Sequence, residues 1–331
     1  MKNNYALLPL IFMLGATAPV FTQTTPTKEI PRDTSYTPYS SWLHVRAAYP
    51  EARIVEPQLP EGVLEARDVV YTTLPETPFG KRDLHADVFR PERPGKYPTL
   101  VLVHGGGWVT GNKSMQIPLA QQIAAKGYVT IAVEYQLADE AMYPAAVHNI
   151  KAAIRWARAN AEIFSIDPDH IAISGCSAGG QLAALVGMTN GVEKFEGDQG
   201  NAGYSSAVQA VIDIDGVVDF LAPASLLIKR TPNTYDLKWF GGSYLEKPET
   251  WMDASPIFWA NENSVPVLFL NSGYPRFHAG QDEMLAMMKR WNIYTEVHTV
   301  DVQVHPFWLF HPWFEPTVAY MTEYLEKVFA D

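Results

Sequence analysis

Short, nearly continuous apolar runs alternate with helical stretches from Val69 onward, and few architectures accommodate that alternation. The strand candidates are Val69–Leu74, Leu84–Arg90, Thr99–His104, Val129–Tyr135, Ile171–Gly175, Ala210–Asp215, Val267–Asn271 and Thr295–Val300. The later runs lack a polar face, as expected when helices cover both sides of a sheet. Between them, Ala145–Ala161 places Val147, Ile150, Ile154, Ala157 and Ala161 at helical spacing, which gives one buried stripe. Gln281–Trp291 and Thr317–Phe329 follow the same pattern. The expectation is an α/β domain over residues 62–331, with an eight-stranded, mostly parallel sheet flanked by helices and right-handed crossovers. The first two runs have no helix between them and predict an antiparallel hairpin at one edge. Residues 221–260 break the rhythm with Pro, Trp and Tyr, and read as a cap-like insertion over the carboxyl edge of the sheet.

Two segments of a different kind precede this domain. Met1-Lys2, an apolar stretch from Ala6 to Leu14 and the small residues Gly15-Ala16-Thr17-Ala18 predict a signal peptide over residues 1–22, cut between Ala18 and Gln23. The apolar stretch falls short of the roughly 20 residues needed to span a bilayer, and every later apolar run is strand-sized. No membrane insertion is therefore expected after cleavage. Residues 23–61 are rich in Pro, Thr and Tyr without sustained periodicity, and predict an arm lying over the domain. Cys176 is the only cysteine, so no internal disulfide can form. Export without disulfides fits a bacterial periplasm. The net charge of -11, with no basic run, excludes nucleic acid as a partner. The nine histidines show no ligand-like spacing with cysteines or carboxylates, so neither a metal nor another cofactor is expected.

Chemistry is concentrated in two glycine-rich motifs. Gly175-Cys176-Ser177-Ala178-Gly179-Gly180 lies between the run Ile171–Gly175 and a helix predicted over Ala178–Val186. A serine on such a turn is strained and exposed, and sits at a helix N-terminus where negative charge is stabilised. Ser177 is the expected nucleophile. His104-Gly105-Gly106-Gly107-Trp108 follows another strand about 70 residues earlier. Its backbone N–H groups can converge on an oxyanion, which places the oxyanion hole at Gly106, Gly107 and Ala178. His104 is expected to order the loop rather than to act as a base.

These motifs carry a resemblance. HGGGW, YQLADEAMYPAAVHNIKAAIRW and GCSAGG together resemble the hormone-sensitive-lipase-like and feruloyl/acetyl-esterase branches of the α/β-hydrolase superfamily, from Val69 to the C-terminus. The resemblance implies a serine esterase with the α/β-hydrolase fold and a histidine base after the last strand. His305 stands there, and His311, in an aromatic segment, is the alternative. An aspartate usually follows the penultimate strand in this superfamily, yet in this chain the sequence reads Ser272-Gly273-Tyr274-Pro275-Arg276. Asp215, at a neighbouring strand end, is the first candidate for the acid. Asp282 is the competitor and Asp219 the third choice.

PRFHAGQDEM and VHPFWLFHPWFEP look like segments of secreted carbohydrate esterases associated with plant pectin. That likeness implies a plant polysaccharide or oligosaccharide ester as substrate, with pectin methyl esters or O-acetyl groups foremost. Acetylxylan or feruloyl esters are the alternative. Trp108, Arg276 and His278 are the expected substrate-binding residues, the last two as partners of a uronate carboxylate. Two other classes stay open: a peptidase-like serine hydrolase and an inactive carbohydrate-binding module.

Overall fold

The computed structural model describes residues 28–330, and the expected signal peptide, residues 1–22, lies outside them. Ten strands are present among the described residues: β1 (Arg53–Ile54), β2 (Val63–Leu74), β3 (Arg82–Pro91), β4 (Tyr97–Val103), β5 (Val129–Val133), β6 (Ile166–Cys176), β7 (Ala210–Ile214), β8 (Val267–Asn271), β9 (Thr295–Thr299) and β10 (Phe310–His311). Eight of them form one sheet in the order β2-β3-β5-β4-β6-β7-β8-β9, and β1 pairs separately with β10. The β2–β3 and β3–β5 pairs are antiparallel and the remaining pairs of this sheet parallel.

Side-chain alternation along the central strands divides the interior in two, because successive residues of a strand point to opposite faces. Val101 and Val103 of β4 join Ile131, Ile173, Ile154 and Leu182 in one core. Leu100 and Leu102 join Ala172, Ile212, Leu268, Ile117 and Leu325 in the other. The helices Ala145–Ala159 and Ala178–Met188 supply the first core, and Ile117–Ala124 and Phe314–Val328 the second. Burial on both faces explains why β5, β7 and β8 are buried at every position.

Element boundaries differ from the sequence reading where polar residues mask the pattern. β2 begins at Val63 rather than Val69, because register shifts between Ala66 and Val69 and between Val70 and Thr72 scramble its alternation. β6 begins at Ile166, ahead of the unpromising run Asp167-Pro168-Asp169-His170. The last helix begins at Phe314, ahead of Pro316. Proline is tolerated there because N–H groups in a first helical turn lack an intrahelical acceptor.

The arm is more ordered than its composition suggests. It carries a helix, Pro38–Val45, with Pro38 in its first turn and a reciprocal cap between Thr37 and Ser40. Residues 221–260 fold as short helices, Pro223–Leu226, Tyr235–Phe240 and Pro248–Asp253, in the crossover between β7 and β8. Trp239 from this insertion stacks on Trp108 at 4.7 Å. No helix among the described residues is long and apolar enough to cross a membrane.

Leu102 is wholly buried at the middle of the sheet. Its truncation to alanine should cost about 2–5 kcal/mol, measured by denaturant unfolding, and a loss below about 1 kcal/mol would contradict this packing.

Candidate active site

Gly175, the last but one residue of β6, lies so close to the following helix that a Cβ there would fall 2.0 Å from the Gly179 carbonyl oxygen. This approach forces the intervening turn into an unusual backbone. Ser177 stands at φ 57°, ψ -121°, and its N–H donates to the Ile214 carbonyl at 2.7 Å. Such a conformation costs of order 1–3 kcal/mol and persists only where the surroundings over-determine it. Cys176, its neighbour, is buried in the sheet, and burial pushes its thiol far above the ordinary value.

Ser177 Oγ lies 2.8 Å from His305 Nε2, and His305 Nδ1 lies 2.8 Å from Asp215 Oδ2. Since a carboxylate only accepts, Nδ1 carries the proton and Nε2 is free to accept from the serine. Asp215 follows directly on β7, with a buried side chain, and its Oδ1 accepts the Ser272 N–H at 2.7 Å. Burial pushes this carboxyl upward, but His278, His305 and the Ser272 N–H outweigh it and hold the group below the usual aspartate range. Burial is also the largest influence on His305. It lowers the imidazole, with help from the Arg276 charge, more than Asp215 raises it. The result is an ionised acid beside a neutral base. Phe277 stacks flat on the His305 ring at 3.5 Å and Trp308 meets it edge-on at 5.3 Å, so the ring is clamped on two sides.

Gly106 and Gly107 lie across the cavity wall from this triad, in a loop pressed against Ser177. At φ 124°, with a virtual Cβ 2.1 Å from the Thr110 carbonyl oxygen, position 106 admits only glycine. The N–H groups of Gly106, Gly107 and Ala178 donate to no partner in the turns, loops and caps of the described residues. That of Ala178 opens a helix, where N–H groups are free by construction. His104 is buried beneath the loop, donates from Nδ1 to the Gly105 carbonyl at 2.8 Å and stacks on Tyr135. Burial pulls it down to about 4, so it is neutral and serves the loop.

Ser177, His305 and Asp215 are therefore brought together, and the other candidates are not. Asp282 is exposed in the first turn of the helix Gln281–Arg290, where a carboxylate complements the helix dipole. Asp219 receives the Leu221 N–H at 2.7 Å. His311 pairs with Glu315.

Trp108 and Arg276 line a cavity of about 1160 Å³ that also contains Ser177, His305 and Asp215. Trp108 is largely consumed by packing, with its Nε1–H on Gln181 at 2.9 Å. His278 is a correction: it does not line this cavity but turns back, with Nε2 buried and 3.7 Å from Asp215 Oδ1. The tight turn Pro275–His278 separates the two side chains, sending Arg276 to the cavity and His278 inward. Arg276 rests on Phe277 at 4.7 Å and forms no ion pair among the described residues, with Asp282 or any other carboxylate. Phe277 escapes the sequence reading, because nothing in PRFH signals that its phenylalanine covers the base.

Two outcomes follow from this geometry. Asp215→Asn should lower kcat on an activated acyl ester by about 10⁴-fold, whereas Asp282→Asn leaves it within twofold; the reverse order would remove Asp215 from the triad. The acidic limb of kcat/KM should also have its midpoint below the ordinary histidine value, because activity needs neutral His305 and burial lowers its affinity for a proton. A midpoint above that value, in a pH profile of the wild type, would contradict this balance of burial and charge around the base.

Known proteins share this architecture. Esterase LipC of Mycobacterium tuberculosis is 33% identical over 204 residues, covering 56% of this chain and 46% of its own. Probable carboxylic ester hydrolase LipM of the same organism is 29% identical over 204 residues, covering 56% and 44%. The chain thus spans about half the length of these curated relatives. A truncated carbohydrate esterase from gut microbiota superposes with a TM-score of 0.69 at 22% identity, covering 82% of this chain and 99% of that one, which speaks for the fold alone. A hyperthermophilic esterase from the archaeon Pyrobaculum calidifontis gives 0.62 at 25% identity, covering 88% and 90%. The BD-FAE family model matches residues 86–289, well over half of the sequence. With the nucleophile turn, the glycine loop and the sheet order in place, the chain belongs to the BD-FAE family of α/β-hydrolase serine esterases.

Proposed function

We propose that this protein is a secreted serine carboxylic-ester hydrolase acting on plant cell-wall carbohydrate, with pectin methyl esters or O-acetyl groups as its substrates. The observation that carries the hydrolase reading is the chain of two 2.8 Å contacts from Ser177 through His305 to Asp215, beside three N–H groups free of partners in the surrounding turns and loops. His305 Nε2 takes the proton of Ser177 as Oγ attacks the ester carbonyl. The oxyanion is received by the N–H groups of Gly106, Gly107 and Ala178. Asp215 stabilises the imidazolium, which then protonates the departing alcohol. Water repeats the sequence in reverse and frees the acid. For a methyl ester the uronyl group is carried on Ser177 and methanol leaves. For an acetyl ester the sugar leaves and acetate follows.

The substrate reading rests on the cavity's charge. Arg276 and Lys229 both line it, and neither has a carboxylate partner among the described residues, whereas Arg230 is matched by Asp236 at 2.7 Å. In a chain of net charge -11, two unmatched cations lining the cavity that holds the nucleophile supply a local field that attracts a polyanion. Feruloyl esters are the second reading, favoured by Tyr235, Tyr274 and Phe277 along the cavity. An inert binding module has no comparable support, since the triad contacts are complete, and a peptidase has none, since the similar curated proteins are ester hydrolases. Secretion, with the periplasm as destination, rests on the leader pattern of residues 1–22.

Methanol and acetate released from esterified pectins distinguish these readings. Ser177→Ala should reduce either product by about 10⁴-fold or more, and release that persists in the variant would reject the acyl-enzyme. Arg276→Gln should lower kcat/KM on pectin by about ten- to hundredfold, the worth of a hydrogen bond to a charged group, with a smaller change on acetylated xylan. Equal losses on both polymers would reject the uronate assignment.

A further inference from the structure

The arm ahead of the family match touches both catalytic loops. Asp33 forms a parallel bridge with Thr110, whose hydroxyl donates to the Asp33 carbonyl at 2.7 Å. Thr110 belongs to the glycine loop, its own N–H donating to the Gly106 carbonyl at 3.0 Å. At the other end, the Tyr49 hydroxyl accepts the Gln303 N–H at 3.1 Å, two residues before His305. Tyr49 also meets Trp313 edge-on at 5.4 Å, and the strand pair β1–β10 fixes the chain beyond it.

Held at these anchors, the helix Pro38–Val45 and its flanks form one wall of the catalytic cavity, through Ser35, Tyr36, Ser41, His44 and Tyr49 among others. The wall is hydroxyl- and imidazole-bearing and contains no carboxylate or ammonium group. The rest of the lining includes Lys229, Arg230, Asp236, Arg276, Tyr274 and Phe277. His44 is exposed to the cavity and has no hydrogen-bond partner in the protein among the described residues. Groups that both donate and accept match sugar hydroxyls, which do the same. The helix itself is tied down by its cap and by Val45, which is buried in the core, so its surface is offered in one fixed position.

We propose that residues 33–49 are the saccharide-binding wall of this site, with His44 hydrogen-bonding a hydroxyl of the sugar that bears the ester. This rests on the carbohydrate-ester reading and adds to it the part of the chain that recognises the sugar ring. The unmatched cations of the same cavity then hold the acidic groups of the same polymer.

The test compares a small ester without sugar, p-nitrophenyl acetate, with a methyl-esterified or acetylated oligogalacturonide, for the wild type, His44→Ala and His44→Gln. His44→Ala should raise KM for the oligosaccharide about three- to tenfold, the worth of one neutral hydrogen bond. The ratio of kcat/KM between the sugar ester and the small ester should fall by the same factor. His44→Gln, which keeps a donor and an acceptor, should recover part of that ratio. Equal loss on both substrates, or an unchanged ratio while the wild type accepts the oligosaccharide, would overturn the assignment of the arm and leave the carbohydrate reading intact. Wild-type turnover of p-nitrophenyl acetate with none of the sugar esters would overturn both.

Discussion

Everything in the catalytic apparatus depends on how closely β6 and the helix after Ser177 approach one another. Two glycines, 175 and 179, permit a separation that any side chain at position 175 would forbid. That separation fixes the positive φ of Ser177, and the serine N–H is satisfied by the neighbouring strand through Ile214. The nucleophile is thus registered against β7, the strand that also delivers the acid one residue later. A strained residue stays in place only when its neighbours leave it no alternative, and for Ser177 the neighbours are the sheet itself.

The same registration explains how the acid reaches the base. β7 lies between β6 and β8, parallel to both, so their carboxyl ends are adjacent. Asp215 leaves β7 with φ 54° and is held by the Leu270 carbonyl and the Ser272 N–H, both at the end of β8. Its carboxylate consequently stands over the strand where the superfamily's acid usually originates. The charge thus stands at the end of β8 although the chain supplies it from the end of β7.

Much of this is legible in the sequence, and the omissions have physical causes. The nucleophile turn and the glycine loop can be read because backbone geometry restricts those positions to a single residue type. The central strands can be read because burial on both faces removes polar residues from them. The choice between Asp215 and Asp282 cannot be made from periodicity, since it depends on which strands are neighbours and how their ends align. The inward turn of His278 is hidden because one tight turn sends nearby side chains in opposite directions, which no composition records. The helix Pro38–Val45 is hidden because its order comes from a cap and a few buried contacts rather than from a sustained apolar stripe.

Carrying the carboxylate at the end of β7 has a consequence for the loop that follows β8. The loop after β8, residues 272–280, delivers no carboxylate to the base; it brings the Ser272 N–H and His278 to Asp215, and the Phe277 ring and the Arg276 charge to His305. Tyr274, Arg276 and Phe277 of the same loop also line the cavity. Cavity lining and support of the base thereby fall on the same stretch of chain, so that a change in one is felt by the other. A substitution at Arg276 or Phe277 that reshapes the cavity therefore also alters the charge or packing around His305.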